Sequence, residues 1–218
     1  MKISYAIPVC NEHVELEKLL SFLVKHIDEN DEIVIQCDKG NTTPEVYKVL
    51  NSWGSLPEKL HQGGPLKAIE FSLNGHFSNF KNNLKEHCTG DWIFQIDADE
   101  LPHESLIINL KELLLLNPTT EMFLVPRVNT VDGLTQEHIN KWRWNVNEKG
   151  WVNWPDYQTR IIQNSPKIKW QNKVHEQIVG ISIKGALPME EEWCLYHPKT
   201  IGRQEIQNRL YEIINNRG

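Results

Sequence analysis

Strand-like apolar runs alternate with helix-like patterns along the chain, and this alternation constrains the fold more than any other feature. The runs Ile3–Pro8 and Glu32–Cys37 are nearly continuous in apolar character, as in parallel strands that are covered on both faces. Each is followed by a segment that a helix would suit, the first with apolar residues at three- and four-residue spacing. Alternating strands and helices of this length favour right-handed crossovers. The sequence therefore predicts an α/β fold with a Rossmann-like, mostly parallel central sheet flanked by helices.

Local signals place further elements. Asn11 is predicted to cap the first helix and Thr43 the second, and a third short strand is predicted near Leu66–Phe71. The next helix is predicted to stop at Gly90, because a residue without a side chain suits a helix end. The strand "DWIFQ", a helix that ends before Pro118 and the strand "EMFLVPRV" follow in that order.

The composition changes in the last third of the chain. Five of the eight tryptophans lie between Trp142 and Trp170, among polar loop residues. Strands are predicted at Tyr157–Gln163 and Val174–Val179, and a final helix is predicted to dock through Ile206 and its apolar neighbours. With 218 residues and 39% apolar composition, we expect a single domain: a core over residues 1–130, and a region over 131–218 whose C-terminal helix packs on that core.

Charge and cysteine content exclude several classes of protein. A formal net charge of −6 argues against a nucleic-acid partner. The four cysteines form no Cys-x-x-Cys pair, so they indicate neither a zinc site nor a redox pair. The start "MKISYAIPVCNEH" suits neither a signal peptide nor a transmembrane segment, so we expect a cytoplasmic protein.

Three acids follow a buried strand in the stretch "DWIFQIDADE". If the strand continues far enough, Asp97 and Asp99 project to one side of it. Two carboxylates facing one small volume suit Mg²⁺ or Mn²⁺, which complete their shell with water and substrate phosphates. The alternative is a solvated turn that caps a helix starting near Pro102.

Several motifs together resemble one family. The segments "IPVCNE", "FSNFKNNLKEHCTGDWIFQIDADE", "PDYQTRII" and "KWQNKVHE" occur in the order found in family 2 glycosyltransferases of the GT-A fold, over Ile3 to Glu176. The resemblance implies an enzyme that uses a nucleotide-diphosphate sugar, is assisted by Mn²⁺ or Mg²⁺, is typically inverting and is expected to transfer a hexose. It also implies that the region over residues 131–218 lies on the acceptor side.

The resemblance assigns the first motif to the nucleotide. Pro8, Asn11 and Glu12 match residues that line the nucleotide pocket, and Asp38 matches an acid that contacts the base or ribose. The usual second acid of that motif is Lys39 here, which is a departure from the family pattern. A simple turn at Pro8 and a helix cap at Asn11 or Glu12 are the alternatives.

The later motifs are assigned to the diphosphate and the metal. Lys81 and Asn82 stand where relatives often carry Arg-Asn, and a cation there would meet the diphosphate, although an exposed helix face is the alternative. The resemblance implies that Asp99 ligates the metal, that Asp97 contacts the ribose or the metal, and that His175 returns to the metal or diphosphate. Glu100 is predicted to be an acid at a helix start.

The acceptor side has candidates for catalysis. Asp156 is the first candidate for the base of an inverting reaction and Glu176 the second, with a turn acid as the alternative for Asp156. Arg160 is assigned to a phosphate or to an ion pair. The acceptor is a glycan, a lipid-linked sugar, a protein or a small molecule, and one or two of four tryptophans are predicted to contact it: Trp142, Trp144, Trp151 and Trp154.

Three other functions fit parts of this pattern. A nucleotidyltransferase would show a Gly-rich phosphate loop near the first strand, and "PVCNEH" has none. A metal-dependent phosphohydrolase would place more histidines close to the acids. A noncatalytic module that binds a nucleotide sugar would keep the fold without turnover.

Overall fold

A nine-stranded sheet flanked by helices organises the computed structural model, which describes residues 1–54 and 66–215, with side chains as far as residue 209. The strands are β1 (Ile3–Val9), β2 (Glu32–Asp38), β3 (Leu66–Phe71), β4 (Trp92–Gln95), β5 (Leu101–Pro102), β6 (Met122–Asp132), β7 (Val152–Gln163), β8 (Lys169–Gln171), β9 (Gln177–Val179), β10 (Lys184–Ala186) and β11 (Leu195–Thr200). The helices are α1 (His13–His26), α2 (Pro44–Ser52), α3 (Phe77–Glu86), α4 (Glu104–Leu116), α5 (Gln136–Trp142) and α6 (Ile201–Asn215), with a short 3-10 helix at Glu191–Trp193.

The order of the strands in the sheet is β3-β2-β1-β4-β7-β6-β11-β5, and β10 pairs with β6. Strands β3, β2, β1 and β4 run parallel to one another, and β7 is antiparallel to both of its neighbours. Strands β8 and β9 form a separate two-stranded sheet. The predicted α/β fold with a mostly parallel sheet is therefore confirmed. The position 130, at which the two predicted regions meet, lies inside the sheet, because β6 spans it.

Each face of the sheet carries its own hydrophobic core. Ile3, Tyr5 and Ile7 of β1 pack on the face covered by α1, α2 and α4. Ala6 points to the opposite face, where Leu84 of α3 packs. This alternation follows from the two-residue period of a strand, and it explains why both faces of β1 are apolar in the sequence.

Several predicted elements shift in the structure. Glu12 rather than Asn11 occupies the N-cap position of the first helix, without a capping hydrogen bond from its side chain, and α3 ends at Glu86, before Gly90. Gly90 instead lies against β1, where an added Cβ would come within 2.7 Å of the Ser4 backbone nitrogen. Close backbone approach, not helix termination, requires glycine there.

The C-terminal region departs further from the prediction. Strand β7 begins at Val152, five residues earlier than predicted, and β9 begins only at Gln177. Ile206 is 69% exposed, so it does not dock α6. The other predicted docking positions are Leu210, Ile213 and Ile214, whose side chains lie outside the described residues. Within the described ranges, no helix is long and apolar enough to cross a membrane.

Candidate active site

A cavity of about 500 Å³ opens at the carboxyl ends of β1, β2 and β4. Pro8 and Asp38, at the ends of β1 and β2, lie on one side of it, and Asp97 and Asp99 follow β4. The opposite side is formed by residues of β6, β7 and β11. In parallel sheets this edge is where ligands bind, because the strand order changes direction there.

The acids after β4 lie in a tight turn rather than in an extended strand. Strand β4 ends at Gln95, and the Glu100 amide donates to the Asp97 carbonyl at 2.8 Å. The expectation that Asp97 and Asp99 share one side of a continuing strand is therefore wrong. The turn directs the two carboxylates to different partners.

Asp99 faces a histidine of β11. Its Oδ2 lies 3.2 Å from Nε2 of His197, and Nδ1 of His197 lies 2.7 Å from Oδ1 of Asn129. The Asn129 amide nitrogen donates to Asp156, which leaves its oxygen for the histidine. Nδ1 of His197 must then be the donor in that pair. In a neutral imidazole, the Nε2 lone pair and the Asp99 carboxylate face each other, and that arrangement requires a proton or a cation between them.

The charge around Asp99 strongly favours its carboxylate form. Burial opposes ionisation, but the hydrogen bond and charge of His197, together with Arg203 and Lys199, lower the pKa of Asp99 well below its usual range. Arg203, on α6, lies 3.4 Å from Asp99 and also pairs with Glu12 at 3.2 Å.

Asp97 and Glu100 belong to a buried network with two arginines. Arg160 pairs with Asp97 at 2.5 Å and with Glu100 at 2.7 Å, and Arg127 pairs with Glu100 at 2.9 Å. Burial opposes ionisation of Asp97, but the positive charges of Arg160 and Lys81 outweigh it and lower the pKa of Asp97. Glu100 is 2% exposed and lies four residues before α4 begins, so the prediction of a helix-start acid is wrong. It neutralises two guanidinium groups instead.

Most residues predicted for the nucleotide and the diphosphate line the cavity. Pro8, Glu12, Asp38 and Lys81 lie on its wall, and Asp38 is fixed by the Leu73 amide at 2.9 Å. Glu12 accepts hydrogen bonds from the amides of the Cys10–Asn11 segment. Asn11 itself is exposed and does not line the cavity.

Lys81 and Asn82 are adjacent on α3 but contact different parts of the protein. Lys81 forms an ion pair with Glu176 at the cavity wall and lies 4.3 Å from the ring centroid of Trp170. Asn82 is turned away and exchanges two hydrogen bonds of 2.9 Å with the Trp170 backbone. These two hydrogen bonds hold β8 against α3, so Asn82 contacts the protein backbone and not the cavity.

The structure brings His197, and not His175, to Asp99. His175 lies on an exposed bend between β8 and β9, with a φ of 52°, and does not line the cavity. The segment preceding Gln177 is not part of a strand, which moves His175 from its expected position. His197 has one signal in the sequence: it is a polar residue within the strand-like run "WCLYHPKT".

Asp156 is held by three partners on β6 and β7. Its Oδ2 accepts from Arg127 at 2.6 Å and from Asn129 at 2.9 Å, and its Oδ1 accepts from Gln158 at 2.7 Å. Burial opposes ionisation, but the charge of Arg127 and these hydrogen bonds lower the pKa of Asp156. It does not line the main cavity, whereas Glu176 does.

The four tryptophans of the C-terminal region pack in pairs. Trp142 and Trp144 have ring centroids 4.7 Å apart, and Trp151 and Trp154 have theirs 4.8 Å apart. Trp144 also borders a second cavity of about 280 Å³, which shares Arg127 and His197 with the main one. This second cavity lies beside the main cavity, next to β6 and β7.

The residues at the bottom of the cavity suit a divalent metal with few protein ligands. Within the described ranges, no group of three His, Cys, Asp or Glu residues is arranged to hold an ion. Asp99 and His197 provide one oxygen and one nitrogen, 3.2 Å apart on the wall of the cavity, and both atom types ligate divalent ions. Mg²⁺ and related ions bind in this way when water and substrate phosphates complete the shell. The donor set therefore fits such an ion.

The sheet and the position of the cavity define a GT-A glycosyltransferase fold. The sequence model of the family described as "Glycosyl transferase family 2" matches residues 4–178, and the chain belongs to that family. None of the curated proteins matches the sequence.

Solved structures with this fold include S. aureus TarS 1–349. Its complex with UDP-GlcNAc is 16% identical, with a TM-score of 0.50, over 62% of this chain and 36% of that one. A second structure of TarS 1–349 is 15% identical, with a TM-score of 0.50, over 75% of this chain and 47% of that one. The chain thus spans less than half the length of these structures, and at this identity the similarity shows the fold alone.

Proposed function

We propose that this chain is a metal-dependent, inverting glycosyltransferase that moves a sugar from a nucleotide-diphosphate sugar to an acceptor hydroxyl. The observation that carries the proposal is the Asp99–His197 pair, which lies in a cavity at the carboxyl ends of the parallel strands of a family 2 glycosyltransferase. The TarS complex contains such a donor, UDP-GlcNAc, on the same fold. Cations surround the pair, as a diphosphate requires.

Asp99 and His197 would hold Mn²⁺ or Mg²⁺, and Asp97 would contact the ribose from its place beside Arg160. When bound, the ion supplies positive charge against the diphosphate oxygens. Pro8 and Asp38 also line the cavity, and we assign them to the nucleoside. The acceptor is assigned to the region from residue 131 onward, which contributes Glu176 to the main cavity and Trp144 to the border of the second cavity.

Glu176 is better placed than Asp156 to act as the general base. A base needs a carboxylate oxygen that is free to take a proton within hydrogen-bond reach of the acceptor. Both oxygens of Asp156 accept hydrogen bonds, and its pKa is lowered by Arg127. Lys81 engages Oε1 of Glu176, and no residue of the described chain donates to the other oxygen. We therefore assign the base to Glu176.

Replacing the metal-side carboxylate tests the proposal directly. We expect Asp99→Asn to lower metal-dependent turnover of a nucleotide sugar by at least about a hundredfold, because it removes the charge that holds the ion. The measurement is release of nucleoside diphosphate from a panel of donors in Mn²⁺ or Mg²⁺, with a chelator control. Asp91→Asn, which changes an exposed carboxylate at the opposite end of β4, is the matched control. Full turnover in Asp99→Asn, or in excess chelator, contradicts the metal role.

The assignment of the base has its own test. We expect Glu176→Gln to lower transfer to acceptor by about a hundredfold while donor affinity stays within about threefold of wild type, since general-base catalysis contributes about 10²–10⁴-fold. Asp156→Asn should have the smaller effect on transfer. If Asp156→Asn is the more damaging variant at equal donor affinity, the assignment to Glu176 is wrong.

A further inference from the structure

The cations that line the main cavity differ in how they are neutralised. Lys81 pairs with Glu176, and both arginines pair with Glu100. Lys199 is different: among the described residues, no carboxylate lies at ion-pair distance from its ammonium group. The ammonium group donates a hydrogen bond to the Gln207 side-chain oxygen at 2.6 Å.

Lys199 is positioned by the same strand as His197. The two residues are two apart on β11, so their side chains leave the strand on one face, and both line the main cavity. A strand rises about 3.3 Å per residue, which separates the two positions by about 7 Å. A diphosphate that is bound at the Asp99–His197 pair therefore reaches Lys199.

The ammonium group of Lys199 is partly buried, and among the described residues no carboxylate contacts it directly. Burial lowers the pKa of Lys199, Asp99 partly reverses this, and the nearby charges of Arg127 and Arg203 lower it again. A partly buried charge without a partner is unfavourable, and an anionic ligand removes that penalty.

We propose that Lys199 binds the β-phosphate of the donor diphosphate and stabilises it as the leaving group, an inference that rests on the proposed function. The acceptor oxygen forms a bond to the anomeric carbon, and the bond from that carbon to the phosphate oxygen breaks. Its electron pair stays on the phosphate oxygen, and the acceptor proton goes to the general base. Lys199 keeps its protons and donates a hydrogen bond to the oxygen on which charge grows.

A phosphate on the acceptor would share this chemistry, because Lys199 also borders the second cavity. The experiment separates the two sources. Calorimetric titration in Mg²⁺ measures the affinity for UDP, GDP, CDP, ADP and dTDP, and for the matching nucleoside of whichever diphosphate binds. The proteins compared are wild type, Lys199→Gln, Lys199→Arg and Lys141→Gln, the last an exposed lysine of α5 that borders neither cavity.

We expect Lys199→Gln to weaken binding of the diphosphate by about tenfold and to leave the nucleoside unchanged, since a hydrogen bond from a charged donor is lost. Lys199→Arg should restore affinity to within about threefold, and Lys141→Gln should match wild type.

Four results overturn the proposal. If wild type and Lys199→Gln bind the diphosphate with equal affinity, Lys199 does not contact it. If Lys199→Gln weakens the binding of nucleoside and diphosphate equally, the role of Lys199 is structural. If a transfer assay shows a change confined to the acceptor KM, Lys199 binds an acceptor phosphate instead. If no nucleoside diphosphate binds wild type, the proposed function fails as well, so the two failures are distinguishable.

Discussion

The two walls of the main cavity are built by different physical means. The first wall comprises the ends of β1 and β2 with the loops that follow them, and it rests on strands whose apolar side chains are fully buried. The second wall comprises the Asp97–Glu100 turn with the facing residues of β6, β7 and β11. It rests on guanidinium and carboxylate groups that neutralise one another inside the protein.

This difference separates the shape of the site from its chemistry. The apolar burial that supports the first wall does not depend on ionisation, so this support is insensitive to pH near neutrality. The second wall is stable only while acids and bases hold opposite charges, since breaking a buried pair leaves an uncompensated charge. Stability and catalysis therefore depend on the same groups in the second wall.

The largest effect on stability is expected from removing Glu100, which sits between two arginines. Glu100→Gln should lower the free energy of unfolding by about 3–5 kcal/mol, the usual range when one partner of a buried ion pair is lost. Urea titration of the purified variant measures it. Glu104→Gln is the matched control, because that carboxylate is 60% exposed and should change stability by less than about 1 kcal/mol. A Glu100→Gln protein as stable as its control would show that the second wall does not depend on this charge.

A comparable loss of stability, but one that does not depend on pH, is expected from a change in the apolar core that supports the first wall. Leu20 of α1 is fully buried against the sheet, and Leu20→Ala should lower stability by about 3 kcal/mol through lost burial and a cavity. The loss should be the same at pH 7 and pH 5. Val24→Ala, at a 45% exposed position on the same helix, should cost less than about 1 kcal/mol. A strongly pH-dependent loss in Leu20→Ala would contradict the distinction between the walls.

The smallest effect is expected from acid. The pKa values of Asp97, Asp99 and Asp156 are all lowered in the folded protein, so each contributes stability that is present above the unfolded pKa of about 3.9 and is lost as the pH falls through the folded value. The urea concentration at the unfolding midpoint of wild type should therefore decrease as the pH is lowered below about 5. In Asp156→Asn the drop should be shallower. If the urea midpoint depends on pH equally in wild type and Asp156→Asn, Asp156 is not held as an ion.

The sequence predicted the first wall well because local patterns determine it. The bounds of β3 agree with the prediction, and the strand ends that carry Pro8 and Asp38 follow from apolar runs that stop at polar residues. The site roles of these residues stay predictions. The family was also identified correctly from motifs in order, as the match over residues 4–178 shows.

The second wall was predicted less well because its contacts join residues far apart in sequence. Glu100 lies 60 residues from Arg160, and Asp99 lies 98 residues from His197. No periodicity indicates such pairings, so the sequence predicts a helix-start acid at Glu100 and a metal-side histidine at His175, whereas the structure places His197 beside Asp99. The turn after Gln95 was missed for a related reason: the strand pattern does not indicate where β4 stops.

Arg203 has a consequence for motion in the protein. Its guanidinium joins α6 to Asp99 and to Glu12 and Glu15 at the start of α1. Transient detachment of α6 breaks all three contacts together, so the opening equilibrium of this helix is thermodynamically linked to whatever occupies Asp99. Amide hydrogen exchange in α6 thereby becomes a reporter of ligand occupancy that requires no knowledge of the sugar.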